Sequence, residues 1–277
     1  MSTLAASPRS PTPGVGPGPT VGALIREWRE RRRLSQLDLS CDAGISTRHL
    51  SFIETGRARP SREMVLRLAE ELNAPLRARN ALLLAAGFAP AFAERSLDDP
   101  ALAGVRRSID LVLAGHEPFP ALVVDRGWRM LAANRALGPL LAGVAPFLLE
   151  PPVNVLRVSL HPEGLGPRIA NFAEWRAHIL ERLKSQIEAT ADAELQVLLE
   201  ELAAYPAPPE QTAADPGADY GGLAVPLQLR TPDAGVLSFF STTTVFGTPL
   251  DVTLSELALE TFLPADAHTA QALRRLA

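Results

Sequence analysis

The chain has 277 residues, 47% hydrophobic and 21% charged, with a formal net charge of −4; residues 21–90 carry 12 Arg against 8 acids, while residues 91–277 carry 14 basic and 23 acidic side chains. That length and apolar content support one large or two modest cores, and the uneven charge favours two domains, with polyanion contact confined to the basic one. Cys41 stands alone, no apolar run approaches the ~20 residues of a bilayer span, and no charged-then-apolar segment opens the chain, which excludes an internal disulfide and points to a cytoplasmic protein with no membrane partner.

Residues 1–20 hold five Pro and three Gly among Ser, Thr and Ala, a composition that cannot offset ordering entropy and predicts a disordered tail. Residues 21–90 then read as an all-α module of five helices: 24–33, 36–43, one starting at Thr47, 62–72 after Pro60-Ser61, and 76–86 closing at Gly87. Its expected core is Ile25, Trp28, Leu39, Ile45, Leu50, Ile53, Leu66, Leu72 and Leu83.

The second and third helices carry the functional signal. Ser35 is placed to cap 36–43, with Asp38 completing an acidic capping box; Gly44 supplies a left-handed exit, and Ser46 caps the next helix. On that helix Leu50 and Ile53 share one face, leaving Thr47, Arg48, Ser51 and Phe52 largely on the other. Arg48 suits guanine O6 and N7, the Thr47 methyl or the Phe52 ring suits a thymine methyl, and His49 and Ser51 flank them. Gln36, Arg57 and Arg59 are placed for phosphate contacts, which set register without reading sequence. The competing reading, a helical hairpin with a solvated Arg face, is disfavoured because cap, turn, Gly-Arg exit and buried stripe agree.

Residues 35–60, with Ile25, Trp28 and Arg29 upstream, resemble the repressor-type helix-turn-helix of phage repressors and xenobiotic-response-element-like bacterial regulators, over roughly 21–87. The resemblance implies a double-stranded DNA partner, an Arg29–Glu54 pair between the first and third helices, and DNA-facing roles for Gln36 and residues 47–52. Phe52 departs from the polar residue often found there.

Residues 91–118 read as a linker and connecting helix. From Pro120 the pattern becomes β-rich: 121–125 and 128–132 flank Arg126-Gly127 as a hairpin, and Asn134 is placed to cap a following helix. A short ordered segment at 154–162 ends in a turn at 164–166. Helices at 168–190 and 193–205 follow, then a polar Pro/Gly stretch at 206–222, strands at 223–230, 235–246 and 252–262 joining the hairpin in one antiparallel sheet, and a last helix capped by Asp266 that carries Leu273 and Leu276. Strand, tight turn, strand and Asn-started helix resemble the opening of a PAS-type sensor, so the fold class expected is multidomain: an all-α five-helix DNA-binding domain at 21–90 and an α+β PAS-like domain with an antiparallel sheet at 119–277.

The second half resembles the ligand-sensing domain of MmyB-like transcription regulators. The residues that carry it are Pro120-Ala121-Leu122-Val123-Val124-Asp125, Trp128 with Asn134, Asn154-Val155-Leu156-Arg157, Leu160-His161-Pro162-Glu163-Gly164, residues 171–175, and Glu260-Thr261-Phe262-Leu263-Pro264-Ala265-Asp266. The resemblance implies a PAS-like fold, a homodimer and an apolar cavity able to accept a fatty-acid-like molecule. Candidates to line it are Leu122, Val124, Trp128, Leu131, Phe147, Phe172, Trp175, Ile179, Phe239 and Phe246, each of which also fits plain core. Arg157, with Asn154 and His161, is placed either to hold the polar end of a ligand or to lock a turn.

Chemistry of other kinds finds little support. His178 and Glu181 sit three apart on a helix, but no His-Glu-x-x-His, Cys-x-x-Cys, Gly-x-Ser-x-Gly or phosphate-binding Gly-rich loop accompanies them, so no metal, cofactor or catalytic residue is expected. The expectation is a dimeric regulator on an inverted-repeat operator, repression being relieved by a small apolar ligand. A C-terminal domain that only dimerises or docks a protein is one alternative, and an enzyme fused to a DNA-binding module is another.

Overall fold

The computed structural model describes residues 18–209 and 225–276; residues 1–17 of the expected tail, residues 210–222 of the polar stretch, the first two residues of the strand expected at 223–230 and the side chain of Leu276 lie outside that description. The chain divides into two compact units, residues 1–91 and 92–277.

Hydroxyl caps start the helices of the first unit. Thr20, Ser35, Ser46 and Ser61 each accept a hydrogen bond from the backbone N–H three residues on, opening α1 (Val21–Arg31), α2 (Gln36–Asp42), α3 (Thr47–Glu54) and α4 (Arg62–Glu71). Asp38 returns the bond to the Ser35 N–H at 2.8 Å, which completes the box. After Pro75 comes α5 (Leu76–Ala85). Gly44 at φ +64° and Gly56 at φ +73° make the left-handed exits from α2 and α3.

Ile25, Leu39, Leu50, Ile53, Leu72 and Leu83 are fully buried, together with Val65, Leu68 and Leu82. Leu66, expected in this core, is only half-buried, as is Ile45. Positions 65, 68, 69 and 72 form the i, i+3, i+4, i+7 stripe of α4 that faces inward, and Leu66 stands one residue off it. The backbones of α1 and α3 touch: a Cβ at Gly22 would lie 2.2 Å from the Ile53 carbonyl oxygen.

In the second unit residues 92–118 are strapped to the fold. The Val252 N–H donates to the Ala93 carbonyl at 2.7 Å, Arg95 pairs with Asp251 at 2.8 Å, and α6 (Ala103–Gly115) lays Ile109 and Leu113 on one face of a sheet. The sheet comprises β1 (Ala121–Val124), β2 (Met130–Ala133), β3 (Leu227–Thr231), β4 (Gly235–Val245) and β5 (Ala258–Pro264), in the order β2-β1-β5-β4-β3, antiparallel throughout. The expected multidomain class, an all-α unit followed by an α+β unit with an antiparallel sheet, is what the structure has.

Alternation along the strands separates two layers. Ala121, Val123 and Leu259 face α6, whereas Leu122, Val124, Leu229 and Phe239 enter the main core. That core is closed by α7 (Val155–Leu160), α8 (Phe172–Thr190) and α9 (Ala193–Ala204), with α11 (Ala267–Leu276) adding Ala272 and Leu273.

Two local expectations differ from the structure. The strand expected at 252–262 starts only at Ala258, because the Asp251 carboxylate accepts from the Thr253 N–H at 2.9 Å and winds one turn of helix, α10 (Val252–Ser255), ahead of it. Asn134 is not a cap. Its amide accepts from the Ala121 N–H and donates to the Leu113 and Phe119 carbonyls, and a 3₁₀ segment containing Pro139 follows. Asn154, by contrast, caps α7 through the Leu156 and Arg157 N–H groups, both at 3.1 Å.

Candidate DNA interface and ligand cavity

Glu54 anchors the DNA-facing edge from behind. Its side chain, 2% exposed, accepts from Arg29 Nε at 2.7 Å and Nη2 at 3.1 Å, the pair that the helix-turn-helix resemblance implies, and from Gln36 Nε2 at 2.7 Å. The hydrogen bond to Glu54 raises the Arg29 pKa against the opposing effect of burial. That bond uses one of the two carboxamide N–H groups of Gln36 and leaves the other to meet a phosphate.

Arg48 and His49 are exposed on the first turn of α3, and Ser51 and Phe52 are half-buried. The Thr47 hydroxyl shares a hydrogen bond with Ser40 at 3.0 Å, which fixes its rotamer. Past Gly56 the chain doubles back, so that the Arg57 and Ala58 N–H groups both bind the Phe52 carbonyl, at 2.8 and 3.0 Å. The guanidinium groups of Arg48 and Arg57 consequently lie 5.3 and 6.0 Å from the Phe52 ring centroid. Phe52 thus serves as a platform for both cations, a role its identity alone did not suggest. Arg59 is exposed beyond them.

The second unit contains an apolar cavity of about 100 Å³ between the sheet, α7 and α8. Of the candidate lining residues the structure brings Leu122, Trp128, Trp175 and Ile179 together on its wall. Val124, Phe172 and Phe239 are buried in the surrounding core. The alternation of β2 turns Met130 inward and leaves Leu131 43% exposed, outside the cavity. Phe246 lines a separate depression with Val112 and Val245.

Phe147 and Arg157 belong to a third site. Arg157 forms a two-pronged pair with Glu201 at 2.8 and 2.7 Å, and the Tyr205 hydroxyl donates to the same carboxylate. That pairing raises the Arg157 pKa and lowers that of Glu201, while burial and Glu201 raise that of Tyr205. His161 packs edge-on between Phe147 and Tyr205.

Sequence reasoning missed the polar corner of the cavity, formed by Ser159, His178, Arg182, Ser241 and Glu260. The available signal was Arg182: it sits three residues after Ile179 and seven after Trp175, on the apolar stripe of α8. Trp128 holds φ +63°, a conformation that costs a bulky residue about 1–3 kcal/mol. Its indole donates to Gln186 at 2.8 Å and carries the Arg182 guanidinium 4.6 Å from the ring centroid, an arrangement that holds it there.

A helix-turn-helix family model matches residues 25–78, and the model of the MmyB-like transcription regulator ligand binding domain matches residues 105–276. The chain belongs to the MmyB-like transcription regulators. This MmyB-like regulator is a DNA-binding protein with a ligand-binding C-terminal domain, and both domains are of kinds found in regulators rather than enzymes. No curated protein matches it. Among its described residues no helix is long and apolar enough to cross a membrane, and no group of three or more His, Cys, Asp or Glu side chains could hold a metal.

Proposed function

We propose that the protein acts in the cytoplasm as a homodimeric repressor that places α3 of each copy in the major groove of an inverted-repeat operator. A small apolar molecule with a fatty-acid-like chain, bound in the cavity of the C-terminal domain, then releases it. The observation that carries the DNA half is the pair of exposed guanidinium groups, Arg48 and Arg57, carried on the half-buried Phe52 ring and backed by a buried ion pair that fixes α3 against α1. Half-sites for such a dimer lie roughly 34 Å apart. The cavity, walled by Leu122, Trp128, Trp175 and Ile179, supports the ligand half.

A ligand changes DNA affinity only by preferring one arrangement of the protein, and a coupling of about 1–3 kcal/mol corresponds to a roughly 5- to 150-fold change. Selection of bound duplexes from a randomised pool, at moderate salt, tests the reading: an enriched inverted repeat is expected, and no enrichment would remove it. Adding an extract of cellular lipids to the selected complex should lower its affinity.

A further inference from the structure

The polar corner of the cavity carries no net charge before any ligand arrives. Arg182 donates to both carboxylate oxygens of Glu260, at 2.6 and 3.1 Å. The Thr243 hydroxyl accepts from Arg182 at 2.6 Å and donates to that carboxylate at 2.9 Å. The register pairs Thr243 with Glu260 across β4 and β5, so this closed ring is built into the sheet. The Glu260 side chain is 5% exposed, and Arg182 is further held by the Trp128 ring.

The other polar groups of the corner are neutral donors and acceptors. Ser159 accepts from the Trp175 indole at 3.0 Å, which leaves its own proton to give. Ser241 and His178 have no side-chain hydrogen-bond partner among the described residues, and burial, reinforced by the Arg182 charge, lowers the His178 pKa and favours the neutral ring.

An ionised carboxylate entering here would meet Glu260, a like charge, and an Arg182 whose two terminal nitrogens already serve that carboxylate. Displacing Glu260 from Arg182 would strand a buried carboxylate, which costs more than the exchange returns. A hydroxyl, amide or ester meets Ser159, Ser241 and His178 without bringing a charge out of water.

We propose that the cavity selects an apolar molecule whose polar head is uncharged, an alcohol, amide or ester, and discriminates against a carboxylate. The proposal rests on the ligand-binding reading above and adds the chemistry of the head group. It is tested by titrating the full-length protein, freed of copurified lipid, with 1-octanol, octanamide and octanoate at pH 8, followed calorimetrically. The neutral pair should bind at least tenfold more tightly than octanoate. Glu260→Gln, which leaves Arg182 without its counter-charge, should shift the octanoate-to-octanamide affinity ratio at least tenfold toward octanoate. Octanoate binding to the unaltered protein as tightly as octanamide overturns the head-group assignment, whether or not the variant folds, while the ligand-binding reading survives. If none of the three binds, both fall.

Discussion

Glu54 gathers three hydrogen bonds in a nearly dry position, and Arg29 spends a further donor on the Leu34 carbonyl at 2.8 Å. Removing one partner of such a pair leaves the other charge buried. Glu54→Ala is therefore expected to destabilise the first unit by about 3–5 kcal/mol. Hydrogen exchange should show the loss as faster opening of α1 and α3, with the second unit unchanged. At the DNA edge the residues divide by role. Arg48→Ala should cost ~1–3 kcal/mol of discrimination at one base position, whereas Arg57→Ala should weaken every sequence alike and reduce the salt slope by about one. Phe52→Ala, which removes the ring beneath both guanidinium groups, should show the two effects together. Operator and random duplexes titrated in parallel across a salt series separate these outcomes.

At the scale of elements, the approach of α1 to α3 depends on Gly22. A methyl group there meets backbone rather than a movable side chain, so Gly22→Ala should force the helices apart at a cost of about 1–3 kcal/mol and reduce operator binding without touching a DNA-facing residue. Denaturant melting and operator titration of the same sample check both consequences. The helix-turn-helix was legible because its signals are local: the caps at Ser35 and Ser46 and the glycines at 44 and 56 act within four residues of themselves. Asn134 and Asp251 were harder to read for the opposite reason. Each offers a short polar side chain to whichever backbone lies near, and only the folded sheet brings Ala121, Leu113 and Phe119 around Asn134. The same holds for the cavity. Leu122, Trp175 and Ile179 follow from strand and helix periodicity, whereas Trp128 enters from the turn before β2; Glu260 meets Arg182 across 78 positions of chain, and no local pattern announces that pairing.

For the whole molecule, the proposed switch needs two copies and a cavity that ligand can fill. Val112, Val245 and Phe246 expose apolar surface around one depression beside α6, and the proposed dimer would bury it against a second copy. Val245→Asp should then yield monomers by sedimentation and lose operator affinity, since each half-site would be bound alone. Filling the cavity addresses the other requirement. Val158, 4% exposed on α7, lines the cavity, and a phenylalanine there would occupy space that the ligand needs. Overpacking sets a penalty of about 1–3 kcal/mol on the substitution, less where empty volume receives the added ring. Because a ligand shifts the equilibrium only through its own differential binding, Val158→Phe should leave operator affinity without ligand within about twofold of the unaltered protein and abolish the response to 1-octanol. Fluorescence anisotropy of labelled operator, with and without 1-octanol, reads both quantities. A variant that still lets go of DNA on ligand addition would place the responsive site elsewhere in the fold.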